Sequence, residues 1–598
     1  MKARTSTTVA IAAAGLITLV AALQFGGGMI ETEIPGLPSA GPLTNWGLPV
    51  ARFWMDVCAV ACIGTLLAAV VLAPSGSPES SACTRAAGWW ALGLAAGAAV
   101  SYVLTVSSMI PMPVANLLAF PDLLGFGASI PQTQALLIVL ATATVLAPIT
   151  IVPRFPGWIR LALAAFAILP PAYVGHAASS GAHDVAVSAM VSHLLGVSAW
   201  VGGLAAVLVH FRRSERLATV LPRFSTIALC CFAAVALSGL VGAWVRLSTP
   251  ADLWQTSYGL LLLAKTATLG LLAWFGQNHR RRTVLGTAER SVRHTFVRLA
   301  AGEVTVMAVA MGLAVGLSTT PPPVSGHESA APPPSFTPIA LITEFRLDPT
   351  VLLLLALPAI GYLIGVRRLS SWPAGRTLSW YAGLALIALV LFGGGAGYAG
   401  TVPYVHAVQH VVLSVIAPVL LCLGAPITLA AQATTAASQY GHLGSRMLAW
   451  RITHPAVLLV AGALPGILLY GTAWLPWSLS DWAARLATQA LFVCSGLLVF
   501  WVVAGVDPLP RAFPATARAW LLAAVAVGQL GLGAALMLGP QLAPGRPPSP
   551  GVDLLADQRL AGAVFLLLPL LPLAVLAVRL TGRPSGRARA ALRTDALA

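Results

Sequence analysis

The sequence predicts an all-α, polytopic transmembrane protein of about 16 spans in two bundles, and three observations predict it. Of its 598 residues, 58% are hydrophobic and 9% are charged, where a soluble domain carries about a quarter charged. A chain with so little charge cannot cover the surface of a large water-soluble enzyme, and one so apolar cannot stay disordered. The apolar residues come in unbroken runs, not in the alternation that a membrane β-barrel needs. The charges fall in clumps between those runs. The net charge of +16 is not gathered into a basic face interleaved with aromatics, which argues against nucleic acid as a partner. The partner implied is the lipid bilayer.

A helix needs roughly 20 apolar residues to cross the hydrocarbon core. Runs of that kind centre near Gly15, Ile63, Leu94, Leu140, Phe166, Leu195, Ala236, Ala267 and Ala308. A second series centres near Leu355, Ala388, Ile416, Ala463, Leu497, Val527 and Pro569. No clear small-x-small cleavage site precedes Gly26, so the first run is read as a retained span and not as a removed signal peptide. Positive charge then tests the order of the spans. With Lys2 and Arg4 in the cytoplasm, alternation brings Arg212, Arg213, Arg216 and Arg223 inside. The same holds for Arg280–Arg282, for Arg290, Arg293 and Arg298, and for Arg367, Arg368 and Arg376. Arg246, Arg346, Arg485, Arg546 and Arg559 fall outside, while Arg52 and Lys265 lie within spans. One span more or fewer would invert every later loop. An even count is therefore expected, in a multi-pass protein of the plasma membrane with both termini cytoplasmic.

Residues 318–348 carry two proline triplets, Pro321–Pro323 and Pro332–Pro334. Such runs cannot continue a helix and favour extended, solvated backbone. About nine spans precede this stretch and about seven follow it. The expected organisation is a membrane domain over 1–317, an extracytoplasmic linker over 318–348, a second membrane domain over 349–582 and a basic cytoplasmic tail over 583–598. The halves show no alignable repeat, which argues for two different proteins joined in one chain and against an inverted-repeat transporter. The seven cysteines are odd in number and mostly within apolar runs, so no disulfide framework is expected.

Ionisable residues inside spans are expensive, so each raises a functional hypothesis. His193 lies inside the sixth run, and just before that run come His176, His183 and Asp184. Imidazoles and a carboxylate near one mouth suit a transition metal. The competing reading makes His176 and His183 solvated loop residues and gives His193 an interhelical hydrogen bond. His406 and His410 are four apart and share one helix face, so they can ligate one ion together, although packing also produces such pairs. Met109 and Met112 offer thioethers, and Cys58 and Cys62 lie beside Asp56. Both pairs read better as core filling. Lys265 snorkels, pairs with an acid or binds an anion. Phosphate loops, Ser-His-Asp sets, paired catalytic carboxylates and nucleotide fingerprints are absent, so the chain is not read as an enzyme.

These residues carry two resemblances. The first half, over roughly residues 50–317, resembles the CopD family of copper-resistance and copper-import membrane proteins. The carriers are His176, Asp184, His193 with Trp200, Gly202 and Gly203, then Arg223-Phe224-Ser225, Ser238-Gly239, and Tyr258-Gly259 with Lys265. The second half, over roughly 349–580, resembles the CtaG-type cytochrome c oxidase assembly proteins. There the carriers are His406, Gln409 and His410, Pro418, Gly424-Ala425-Pro426, His454-Pro455, Gly496 with Phe500-Trp501, Asp507-Pro508, and Asp557-Gln558 with Gly562. The order is similar to fusion proteins of actinobacteria. Three positions depart from the pattern. Tyr470-Gly471 stands where such proteins often have a histidine, Gln489 stands where another is expected, and Phe565 replaces a tryptophan.

The resemblance implies copper capture by the outer histidines, passage into or across the membrane through the first half, and support of oxidase assembly by the second. The implied metal set is His176, His183, Asp184, His193, His406 and His410. Copper is the implied cofactor or cargo, and cytochrome c oxidase subunits and an extracytoplasmic copper chaperone are the implied partners. The departures imply that the second half binds copper weakly or acts by partner contact. Two alternatives stand beside this reading. One is a b-type haem or quinone-linked redox protein using His193 and His210, which lie on one helix. The other is a metal-free scaffold for oxidase subunits.

Overall fold

The computed structural model describes residues 2–27, 38–119, 123–152, 155–174, 183–279, 281, 289–323, 337, 339, 345–399, 402–433, 451–541 and 553–581. All regular structure among them is helical. Fifteen helices are long and apolar enough to cross a membrane, and a sixteenth candidate is a bent pair. Each expected run falls on one of them. The chain is a multi-pass helical membrane protein.

The bent pair is Pro455–Gly471 followed by Trp474–Ser480, turned by 79°. Thr472 makes the corner. Its hydroxyl donates to the Leu468 carbonyl at 2.6 Å and accepts from the Trp474 amide at 3.1 Å. One side chain thereby satisfies a carbonyl near the end of the first helix and an amide opening the second.

Contacts divide the chain into two compact units, 1–330 and 331–598. The linker expected over 318–348 lies largely outside the described residues, and the tail over 583–598 wholly so. In the first unit the long helices are α1 (Lys2–Gly26), α2 (Pro42–Leu67), α3 (Pro78–Met109), α4 (Pro131–Ile151), α5 (Gly157–Ala167), α6 (His183–Val197), α7 (Leu217–Arg246), α8 (Ser257–His279) and α9 (Glu289–Thr319). In the second they are α10 (Pro349–Arg367), α11 (Ala374–Phe392), α12 (Pro403–Val411), α13 (Pro455–Gly471), α14 (Trp482–Ala504), α15 (Ala515–Leu538) and α16 (Leu554–Leu567).

Lipid supplies no hydrophobic drive between helices, so close approach through small residues does much of the packing. Gly312 and Gly316 on α9 are four apart and meet Gly15 and Ala22 on α1. Gly64 on α2 lies against Gly202, where any side chain would strike backbone. Beyond α6 the helix continues through a wide π-turn at Ser198–Gly202 and another at Val207–Phe211. A third wide turn, Val412–Ile416, follows α12 directly. Each such turn inserts a residue and re-aims the side chains on either side of it.

Candidate functional sites in the two units

In the first unit, His193 sits nine residues beyond Asp184, about 13 Å along the helix axis. Its Nδ1 lies 3.1 Å from Ser238 Oγ on α7. The Ser238 hydroxyl donates to the Val235 carbonyl at 3.1 Å. With its single proton committed there, Ser238 accepts from Nδ1–H, and Nε2 keeps its lone pair. That is the tautomer a metal-ligating imidazole takes when its second nitrogen is held by the protein. Trp200 meets Phe232 edge-on at 5.7 Å between centroids, and Gly203 lies against the Phe224 ring.

Of the other expected ligands of this unit, only the Asp184 side chain is among the described residues. Asp184 is half-buried in the first turn of α6. His183 opens that helix, but its side chain lies outside the described residues, as does all of His176. The interval along α6 sets His183 and Asp184 on one level and His193 on another. Lys265 and Arg246 are the charged groups acting on His193, and both are cations. His210 lies in the second π-turn, far down the same helix.

In the second unit, His406 and His410 occupy successive turns of α12 and face one ring. Tyr470 lies 6.2 Å from His406 and 5.7 Å from His410 between centroids. His410 is 4% exposed. Phe492 stacks on it at 3.8 Å and Phe565 meets it edge-on at 5.0 Å. Its Nδ1 is buried without a hydrogen-bond partner. Buried polar atoms are nearly always satisfied, so an orphaned imidazole nitrogen calls for an explanation, and a ligand is one. Two of the three departures noted in the sequence thus come together in space: Tyr470 and Phe565 line the walls around His410. Among the described residues, no three His, Cys, Asp or Glu side chains gather closely enough to form a metal cage.

Sequence reasoning noted several further polar residues without assigning them a role, and their work is structural. Asp557 Oδ2 accepts from the Tyr404 amide at 3.2 Å, in the first turn of the histidine helix. Gln409 Nε2 donates to the Val390 carbonyl at 2.7 Å, tying α12 to α11. Gln558 Nε2 donates to the carbonyls of Leu536 and Pro540, each at 3.0 Å. Asp507 accepts from the amides of Ile427 and Thr428 at 3.2 and 2.7 Å, capping the helix Pro426–Ala433. His454 Nδ1 accepts from the Ala456 amide at 3.3 Å, so this imidazole is the N-cap of α13. The sequence signal for that role was the proline beside it, at the first helical position.

Both units carry histidines within helices long and apolar enough to cross a membrane, and the class is that of a multi-pass helical membrane protein. Three family models match the chain, in the order the resemblance implied. Residues 43–185 match the copper resistance protein D-like N-terminal domain and residues 218–317 match copper resistance protein D. Residues 360–584 match the cytochrome c oxidase caa3 assembly factor. A copper resistance region is thus fused to an oxidase assembly factor region in one membrane protein, and these are families of transport and assembly proteins. Uncharacterized proteins of Mycobacterium bovis and Mycobacterium tuberculosis are each 26% identical over 575 residues, covering 88% of this chain and 82% of theirs. The copper transport protein CutJ of Bacillus subtilis is 29% identical over 162 residues, 26% of this chain and 30% of that protein. No solved structure matches the chain.

Proposed function

We propose that the chain captures copper at the extracytoplasmic face, moves it into or across the membrane through residues 1–317, and supports copper insertion into cytochrome c oxidase through residues 349–582. The linker over 318–348 is then extracytoplasmic, and the tail over 583–598 and the N-terminus are cytoplasmic. The chain acts as a carrier and assembly protein and not as an enzyme. His176, His183 and Asp184 form the entry level, and His193, a few turns deeper, is the next ligand. Bare charge in hydrocarbon is costly, so copper passes by exchange between ligands. His406 and His410 take up copper in the second unit for oxidase subunits, and an extracytoplasmic chaperone donates to the entry level.

The observation that carries this reading is the pair His406 and His410 on one helix face, with the buried Nδ1 of His410 lacking any hydrogen bond. The test is copper content of the detergent-purified chain after loading. Wild type is compared with His406→Ala/His410→Ala and with His176→Ala/His193→Ala. Each double variant is expected to lose its unit's share of copper, and oxidase activity in cells carrying the first should fall and recover on added copper. Equal copper in all three proteins overturns the reading. The aromatic enclosure of His410 favours one rival, a scaffold that binds oxidase subunits without metal. Under that rival the His406→Ala/His410→Ala protein leaves oxidase assembly intact.

A further inference from the structure

Three arginines stand where α10 ends and α11 begins. Arg367 and Arg368 are exposed, and Arg376 is half-buried in the first turn of α11. Residues 349–480 contain no aspartate or glutamate, so the sequence around the three supplies no acid. The one ion pair among the described residues is Arg216 with Glu79, in the other unit. No carboxylate there pairs with this cluster. A cation in a first turn also works against the helix dipole, so Arg376 is not placed for the benefit of α11.

Arg376 is nevertheless held in place. Its guanidinium carbon lies over the Trp372 ring, 5.0 Å from the centroid. Trp372 is fixed in turn, because its Nε1 donates to the Tyr362 hydroxyl at 3.0 Å. That hydroxyl donates to the Gly424 carbonyl at 2.8 Å, and the Tyr362 ring stacks on Trp380 at 4.9 Å. The tryptophan of the loop is thereby tied to α10, to α11 and to the turn before the helix Pro426–Ala433. A guanidinium stacked by its face keeps its N–H edge for acceptors, and such a preorganised fork loses less entropy when one arrives. Four residues separate Arg368 from Trp372, so the chain keeps the exposed pair within about 14 Å of that ring.

The surface beside the cluster indicates what kind of anion it takes. Leu357, Ile360 and Ile364 on α10 are 49%, 54% and 43% exposed. They are spaced three and four residues apart, and Arg367 and Arg368 continue the same face. An exposed apolar strip that ends in guanidinium groups at the close of a span complements a lipid, with an acyl chain along the strip and a phosphate at the cations. A free phosphate makes no use of the strip.

We infer that Arg367, Arg368 and Arg376 bind the headgroup phosphate of an anionic phospholipid at the α10–α11 turn of the second unit. Arg376 on Trp372 is the preorganised partner, and the exposed pair adds charge. Guanidinium groups meet phosphate through paired, charge-assisted hydrogen bonds. The site depends neither on copper nor on which side of the membrane the turn faces, because both leaflets present headgroups.

The experiment counts lipid bound to the full, copper-free chain by native mass spectrometry, from mixed micelles with a rising fraction of phosphatidylglycerol. Wild type is expected to retain this lipid saturably and in preference to phosphatidylcholine. Apparent affinity should fall about fivefold in Arg376→Gln and about 25-fold in Arg367→Gln/Arg368→Gln, the scale of one basic group each at a membrane surface. Arg451→Gln, which removes an exposed arginine ahead of α13, should leave it unchanged. If Arg376→Gln does not elute as a monodisperse protein, the exposed pair carries the test. Unchanged retention in the cluster variants overturns the proposal. An equal loss in Arg451→Gln and Arg376→Gln overturns it in favour of diffuse attraction, and equal retention of phosphatidylcholine in favour of the apolar strip alone. Displacement of the lipid by inorganic phosphate overturns it in favour of a free-phosphate site.

Discussion

Ser238 decides what His193 can do. A neutral imidazole has one donor and one acceptor nitrogen, and the Ser238–Val235 hydrogen bond assigns them. Replacing Ser238 by alanine removes the partner of Nδ1–H and frees the ring to turn or change tautomer. Outer partners of metal-bound histidines typically contribute about 10–100-fold in affinity. Ser238→Ala should therefore weaken copper binding to the first unit by about that factor, measured by competition with a chelator on the full chain, and Ser238→Thr should restore most of it. An unchanged affinity would mean that copper does not bind His193. At His410 the matching question is steric. Its ring is stacked between Tyr470 and Phe492, so an incoming ion reaches it in the ring plane, at its nitrogens, and not at its faces.

The helices hold these rings at fixed height because their neighbours approach without side chains between them. Gly496 on α14 is the clearest case. A Cβ there would come within 2.6 Å of Pro418 Cγ and would also strike the Ser414 carbonyl. Ser414 lies in the wide turn that directly follows His410's helix, and Pro418 lies just beyond that turn. Gly496→Val should push α14 off this segment, with overpacking costing roughly 1–3 kcal/mol. A lowered unfolding temperature in detergent is the expected readout. The same shift should loosen the contact of Phe492, on α14 itself, with His410. Unaltered stability would show that the close contact is not structural. Asp557 works on the other end of the same helix, holding the Tyr404 amide in its first turn.

For the molecule as a whole, topology is the property that everything else presupposes. The even count of spans depends on treating the bent pair around Thr472 as one crossing. If it is one, and the linker near Ser325 is extracytoplasmic, the tail near Ser585 is cytoplasmic, as the distribution of arginine requires. Single cysteines are introduced at those two positions in a chain whose native cysteines are replaced; in intact cells an impermeant maleimide should label the one at 325, and the one at 585 only after the cells are opened. Labelling of both in intact cells would mean that the bent pair does not cross, whereas no labelling at Ser325 would reverse the start of the second unit and remove His406 and His410 from any extracytoplasmic role.

Composition and run length alone determined the number of spans, their centres and the change of character near the proline triplets. Hydrophobic length is a local property, and each span must satisfy it without help from the rest of the chain. The sequence also pointed to His406 and His410 as a pair, because four residues return a helix to the same face. It could not show that Tyr470, Phe492 and Phe565 converge on that face, since they come from three other helices whose rotation is set by packing. Likewise His193 was visible as a costly residue, but its partner lies 45 residues away on α7. The roles of His454, Asp507 and Asp557 were hidden for the same reason. A capping carboxylate and a ligating one look alike in sequence, and only the helix end or metal ion each one faces distinguishes them.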